Sequence, residues 1–189
     1  MVEAARRRAR DAARIDADSL ERYDRALVGF GTRHTLSSQD DPNRGIGAAR
    51  DWIKGEFDSI AATSGGRMTV ELQTFIQPPV ERVPVPTPIT NVVATLRGTD
   101  SSSADRVYVV GAHYDSRVTD PLNATSDAPG ANDDASGTAA VLELARVFAP
   151  RPTDSTIVFV AFAGEEQGLL GSDHFAQLAK DRAGTSRAC

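Results

Sequence analysis

Residues 155–172 read STIVFVAFAGEEQGLLGS. Seven consecutive apolar residues, Ile157 to Ala163, give way at Gly164 to two adjacent carboxylates, Glu165 and Glu166, and a second glycine follows at Gly168. An apolar run of this length, rich in β-branched and aromatic residues, is the pattern of a strand covered on both faces. Such strands belong to sheets flanked by helices, where functional groups gather just beyond the strand ends. An isolated Glu-Glu pair is ordinarily a solvated turn. Bracketed by glycines at the end of a buried strand, this pair has the position of a working group.

Working upstream, the same grammar recurs. Val107–Tyr114, within RVYVVGAHY, is apolar at nearly every position, and NVVATL from Asn91 reads as a further strand. Between the last two strands, Gly137–Ala149 carries Val141, Leu144, Ala145 and Phe148 on one stripe, with Ser136 available as the helix cap. MTVELQTFI, 68–76, alternates Val70, Leu72, Thr74 and Ile76 with Glu71, Gln73 and Phe75, the period of a half-buried strand. QPPVERVPVPTP, 77–88, holds five prolines and predicts an extended connection rather than a helix or central strand. Ile46, Ala49, Ile53, Phe57 and Ile60 predict an amphipathic helix over 45–64, closed by Gly65-Gly66. Residues 18–29 predict another, behind Asp18 or Ser19 as cap.

Composition narrows the classes. At 189 residues and 40% hydrophobic content the chain suits one domain with a real core. A net charge of −5 and a pI near 5.2 exclude a nucleic-acid binder that works through a basic face. The one basic cluster, Arg6, Arg7, Arg8, Arg10 and Arg14, reads as a solvated, frayed helix, so residues 1–17 are an extension and 18–189 the domain. No stretch reaches the roughly 20 apolar residues of a membrane-spanning helix, and no secretory apolar core opens the chain. The single cysteine, Cys189, permits neither an intrachain disulfide nor a cysteine-based zinc site.

Three element ends then carry chemistry in order. His113 and Asp115 follow one strand, Asp133 and Asp134 precede the helix at Gly137, and Glu165 and Glu166 follow the last strand. His, Asp and Glu are the side chains that hold hard or borderline divalent cations. Asp115, two residues beyond His113, has the spacing to orient an imidazole. Two consecutive aspartates exceed what a helix cap needs, and a cation relieves their repulsion.

The blocks GAHYDS, PGANDDASGTAAVLELAR and FVAFAGEEQGLLGSDHFA resemble those of the co-catalytic di-zinc aminopeptidases and their glutamate-carboxypeptidase relatives. LVGFGTRHT, 27–35, and GIGAARDWIKGEF, 45–57, are similar to stretches preceding the catalytic centre in that family, so the likeness covers about residues 20–180. The resemblance implies an α/β fold of three layers, helix/sheet/helix, with a mixed, mostly parallel sheet. It implies zinc as cofactor, two ions per complete site, with His113 and Glu166 as ligands, Asp133 as the bridging ligand and Glu165 as general base. Asp115 would support His113, Asp134 would shape the bridging loop, and the Asp133–Asp134 peptide would be cis. The implied activity is hydrolysis of a terminal peptide bond, with a peptide or N-terminal residue as substrate; aminopeptidase comes first, and carboxypeptidase stays open. Relatives of this kind are often secreted or periplasmic.

The family pattern also needs a later Asp and a later His, and neither follows Glu166 at the required distance. Asp173-His174 falls in a helix-like stretch that does not ligate in the family. The chain as given is therefore expected to be truncated at its C-terminus, to bind at most one zinc tightly and to turn over poorly. A non-catalytic remnant or interaction module of the same fold is the competing class.

Overall fold

A computed structural model of the chain describes residues 14–185. The expected frayed helix around Arg6, Arg7, Arg8 and Arg10, and Cys189, lie outside them. In order the elements are α1 (Ala17–Gly29), α2 (Ile46–Ala61), β1 (Met68–Gln77), β2 (Thr87–Leu96), β3 (Val107–His113), α3 (Ser136–Phe148), β4 (Thr156–Phe162) and α4 (Leu170–Thr185). A short 3-10 turn, Ala62–Ser64, extends α2 until Gly65 and Gly66, both at positive φ, end it. The cap of α1 is Asp16 rather than Asp18 or Ser19, and its carboxylate accepts the Ser19 hydroxyl at 2.7 Å.

The four strands form one sheet in the order β1-β2-β4-β3. β1 pairs with β2, and β2 with β4, antiparallel; β3 pairs with β4 in parallel from Val107↔Thr156 to His113↔Phe162. The sheet is thus mixed as expected, but among the described strands it is not mostly parallel. The proline-rich connection returns β2 directly alongside β1 without a crossover helix, which enforces antiparallel pairing. Pro88 lies inside β2 opposite Ile76, outside the Val92–Leu96 stretch that pairs with β4 on the other side, so its missing N–H costs no central ladder bond.

Both faces of the sheet bear helices. On one, Tyr23 and Leu27 of α1, Ile53 and Phe57 of α2 and Leu142 of α3 join Val92, Leu96 and Phe159 in the main core. Each such fully buried Leu, Ile or Phe stabilises the fold by roughly 1.5–3 kcal/mol on leaving water. On the other, Phe175 of α4 covers Val93, Val158 and Val160 and meets Phe162 edge-on at 5.6 Å. β4 is buried as its apolar run predicts, whereas β3 is not: Val107, Tyr108 and Val109 are half exposed. β3 is the edge of the described sheet, and the helices cover it only from Val110 and Ala112 onward. No helix among the described residues is long and apolar enough to cross a membrane.

The parallel β3–β4 register positions the site. It brings the C-terminal ends of both strands to one edge, where Tyr114 donates its N–H to Phe162 at 2.8 Å and α3 begins.

Candidate metal centre

His113 closes β3 with a side chain only 13% exposed. Its Nδ1 lies 3.1 Å from the main-chain oxygen of Asp115 and donates to it, which leaves Nε2 facing outward. Nε2 meets Asp133 Oδ1 at 3.0 Å and Glu165 Oε2 at 3.8 Å. Burial opposes a charge on this ring. Asp115 above all, then Glu165 and Asp134, outweigh it and hold the imidazole pKa up at about 9.

Asp115 is fully buried, and its position was legible while its work was not. The spacing from His113 predicts a carboxylate turned onto the imidazole, and Oδ1 stands 3.6 Å from Nδ1, an ion-pair contact with the protonated ring. The same carboxylate has further work that the spacing does not show: Oδ1 accepts the Glu165 N–H at 3.2 Å, and Oδ2 accepts the Glu166 N–H at 3.1 Å and the Thr35 hydroxyl at 3.2 Å. This one carboxylate therefore holds the turn that presents the glutamate pair. Gly164 and Gly168, at φ +74° and +119°, supply the left-handed backbone that turn requires.

The Asp133–Asp134 peptide is cis, as the resemblance implies. Asp133 points outward with its side chain 75% exposed, while Asp134 works on backbone: Oδ1 accepts the Gly137 N–H at 3.0 Å and Oδ2 the His113 N–H at 3.3 Å. Asp134 is thus the acceptor at the start of α3. Ser136, expected there, is already helical and donates its hydroxyl to Asn132 O at 3.1 Å. A side chain at Gly137 would collide with the Asp134 carboxylate, so the contact needs glycine.

Glu166 differs from its neighbour. Its Oε2 takes a 2.7 Å ion pair from Arg117 Nε, whose Nη1 also donates to Val118 O and Thr119 O at 3.1 Å. Burial pushes the Glu166 carboxyl up, and Arg117 opposes the shift. The structure therefore brings His113, Asp133 and Glu165 together and seats Glu166 against Arg117. Among the described residues, no three His, Cys, Asp or Glu side chains already close round one point. The outward Nε2 between two carboxylates nonetheless has the donor chemistry of a zinc site. His174, by contrast, stacks on Phe75 at 4.1 Å.

The sequence profile of Peptidase family M28 matches residues 91–188, just over half of the chain. The chain belongs to peptidase family M28. A probable zinc metalloprotease of Pyricularia oryzae is 62% identical over 151 residues, covering 80% of this M28 chain and 30% of that protein. The chain spans 30–39% of the length of such relatives. Among solved structures, the LapA aminopeptidase of Legionella pneumophila shares the fold at a TM-score of 0.67 and 24% identity, over 92% of this chain and 41% of that one. A glutaminyl cyclase of Porphyromonas gingivalis superposes at 0.63 with 25% identity, over 85% of this chain and 52% of that one.

Around the M28 site lie residues that sequence reasoning passed over: Arg33, His34, Thr35 and Arg117. His34 is fully buried; Nδ1 accepts the Leu36 N–H at 3.0 Å and Nε2 faces Pro121 O at 3.1 Å, the contacts of a neutral ring. Burial holds its pKa below the ordinary 6.5. The unfolded chain therefore takes up this proton first, and the stability His34 contributes is present above about pH 6.5 and lost as pH falls below it. His34→Asn is expected to shrink the drop in Tm between pH 7 and pH 5. A drop as large as that of the parent removes His34 as its cause.

Proposed function

We propose that the chain supplies the metal-binding and proton-transfer part of a zinc-dependent exopeptidase, an aminopeptidase in the first instance. The observation that carries this is the meeting of His113 Nε2 with Asp133 and Glu165, at 3.0 and 3.8 Å, where three element ends converge. In this reading His113, Asp133 and Glu166 would hold zinc. When bound there, zinc would supply Lewis acidity toward a scissile carbonyl and a water. Glu165, with its side chain 37% exposed, accepts that water's proton and returns it to the leaving amine. Asp115 acts through others: it holds both glutamate N–H groups, and its main chain fixes the imidazole, so it is a positioning residue. Glu166 keeps one oxygen on Arg117 and has the other to offer.

The test uses the whole protein. Release of the N-terminal residue from a short peptide is expected to stop with a zinc chelator, to return on adding zinc, and to fail on the N-acetylated peptide. Chelator-insensitive cleavage sinks the metal reading. Zinc-dependent release from the C-terminus instead makes the protein a carboxypeptidase, and equal cleavage of the acetylated peptide removes the exopeptidase assignment. A catalytically silent protein that binds zinc places the chain in the non-catalytic class.

A further inference from the structure

Arg33 is 1% exposed and, among the described residues, has no carboxylate in ion-pair contact. Its guanidinium spends its donors on four main-chain oxygens instead. Nε donates to Tyr114 O at 2.7 Å, Nη1 to Leu27 O at 3.0 Å and Pro129 O at 2.7 Å, and Nη2 to Gly130 O at 3.0 Å. These acceptors belong to three segments: the end of α1, the residue between His113 and Asp115, and the turn three residues before Asp133. The Arg33 main chain joins the same junction. Its N–H donates to the Ser116 hydroxyl at 3.1 Å, that hydroxyl donates to Ala128 O at 2.7 Å, and the Ser116 N–H donates to Arg33 O at 3.3 Å.

A buried cation is costly unless its hydrogen bonds are satisfied, so a site that keeps one without a direct counter-ion has a geometric use for it. A guanidinium is a rigid planar fork, and the oxygens it binds take their separations from it. The turn is moulded to that fork: Gly130 sits at φ +46°, and a Cβ there would stand 3.0 Å from Arg33 Nη2 and 2.6 Å from Asp133 O. We propose that Arg33 is a positioning residue for the metal centre, its buried guanidinium setting the distance between the His113 strand end and the Asp133 turn. The proposal rests on the metal reading above. Lysine at this position keeps the charge but offers a compact ammonium on a flexible stem, which cannot reach four oxygens in three segments at once.

The test compares Arg33→Lys with Glu143→Gln in the intact chain. Glu143 is an equally buried charge remote from the site; it pairs with Arg146 at 2.6 Å and accepts the Asp16 N–H at 2.8 Å, joining α3 to α1. Zinc affinity is read by competition with a chromophoric chelator, stability by thermal unfolding, and local geometry by the amide NMR signals of His113, Tyr114, Asp133 and Asp134 without metal. Arg33→Lys is expected to weaken zinc binding about tenfold or more, as loss of a group that orients metal ligands does, and to move those four signals. Glu143→Gln is expected to lower Tm while zinc affinity stays within about twofold and the four signals stay in place. Unmoved signals in Arg33→Lys, or the same zinc loss in Glu143→Gln, overturn the proposal. If the parent binds no zinc, the metal reading falls and the NMR comparison still decides on Arg33. If Arg33→Lys does not fold, Ser116→Ala loosens the same junction: weaker zinc binding and moved signals support the proposal, and neither change overturns it.

Discussion

Glu165→Gln in the whole protein is expected to lower kcat by roughly 10²- to 10⁴-fold, the usual contribution of a general base, with zinc content unchanged. The amide has the size and shape of the carboxylate but cannot take a proton. The main-chain N–H of residue 165 still donates to Asp115, so the turn and its neighbour Glu166 keep their places. Glu166→Gln is expected to act differently: zinc affinity falls, and activity returns in part as zinc is raised. Steady-state kinetics at several zinc concentrations, with metal analysis of both variants, separates the roles. Equal zinc loss in the two would show that the adjacent carboxylates share one job.

Asp115→Asn is expected to be the most damaging isosteric change near the site, lowering stability by about 2–3 kcal/mol and zinc affinity by roughly 10- to 100-fold. The carboxylate has no donor of its own and receives three: the Glu165 and Glu166 N–H groups and the Thr35 hydroxyl. An asparagine oxygen can satisfy one N–H, but its NH2 must then face the other, donor against donor, in a place with no solvent access. Urea unfolding and zinc competition on the same sample measure both effects. Thr35→Ala, which removes only the hydroxyl contact, is expected to cost far less. Parental zinc affinity in a folded Asp115→Asn variant would show that the turn is held by other means.

These residues mark what was legible in the sequence. The apolar run before Glu165, the helix stripe after Gly137 and the order His, Asp, Glu-Glu were readable because each is a local pattern, set by burial and strand-end position. The division of labour was not. Asp115 and Asp134 are short acids beside predicted ligands, and nothing in their spacing says that their carboxylates also bind main-chain N–H groups. Arg33 was hidden for a different reason: its partners are carbonyl oxygens 81 to 97 residues away, plus one at Leu27, and main-chain acceptors leave no trace in side-chain identity. The exposed start of β3 was misjudged because an apolar strand at the rim of the described sheet has the same composition as one at its centre. The Glu166–Arg117 pair spans 49 residues and joins two loops, beyond the reach of any periodic pattern.

The parallel pairing of β3 with β4 is, finally, a ruler. His113 stands opposite Phe162, and the glutamate turn begins two residues later, so the distance from imidazole to carboxylates is counted out in strand residues of about 3.3 Å each. A slip of one position would turn His113 to the opposite face and displace it from Glu165. Insertions and deletions should therefore be rejected within Val107–His113 or Thr156–Phe162, where a single added residue resets the count, and better tolerated in the 98–106 connection, whose hydrogen bonds to residues 153–156 lie at the opposite end of these strands from the site.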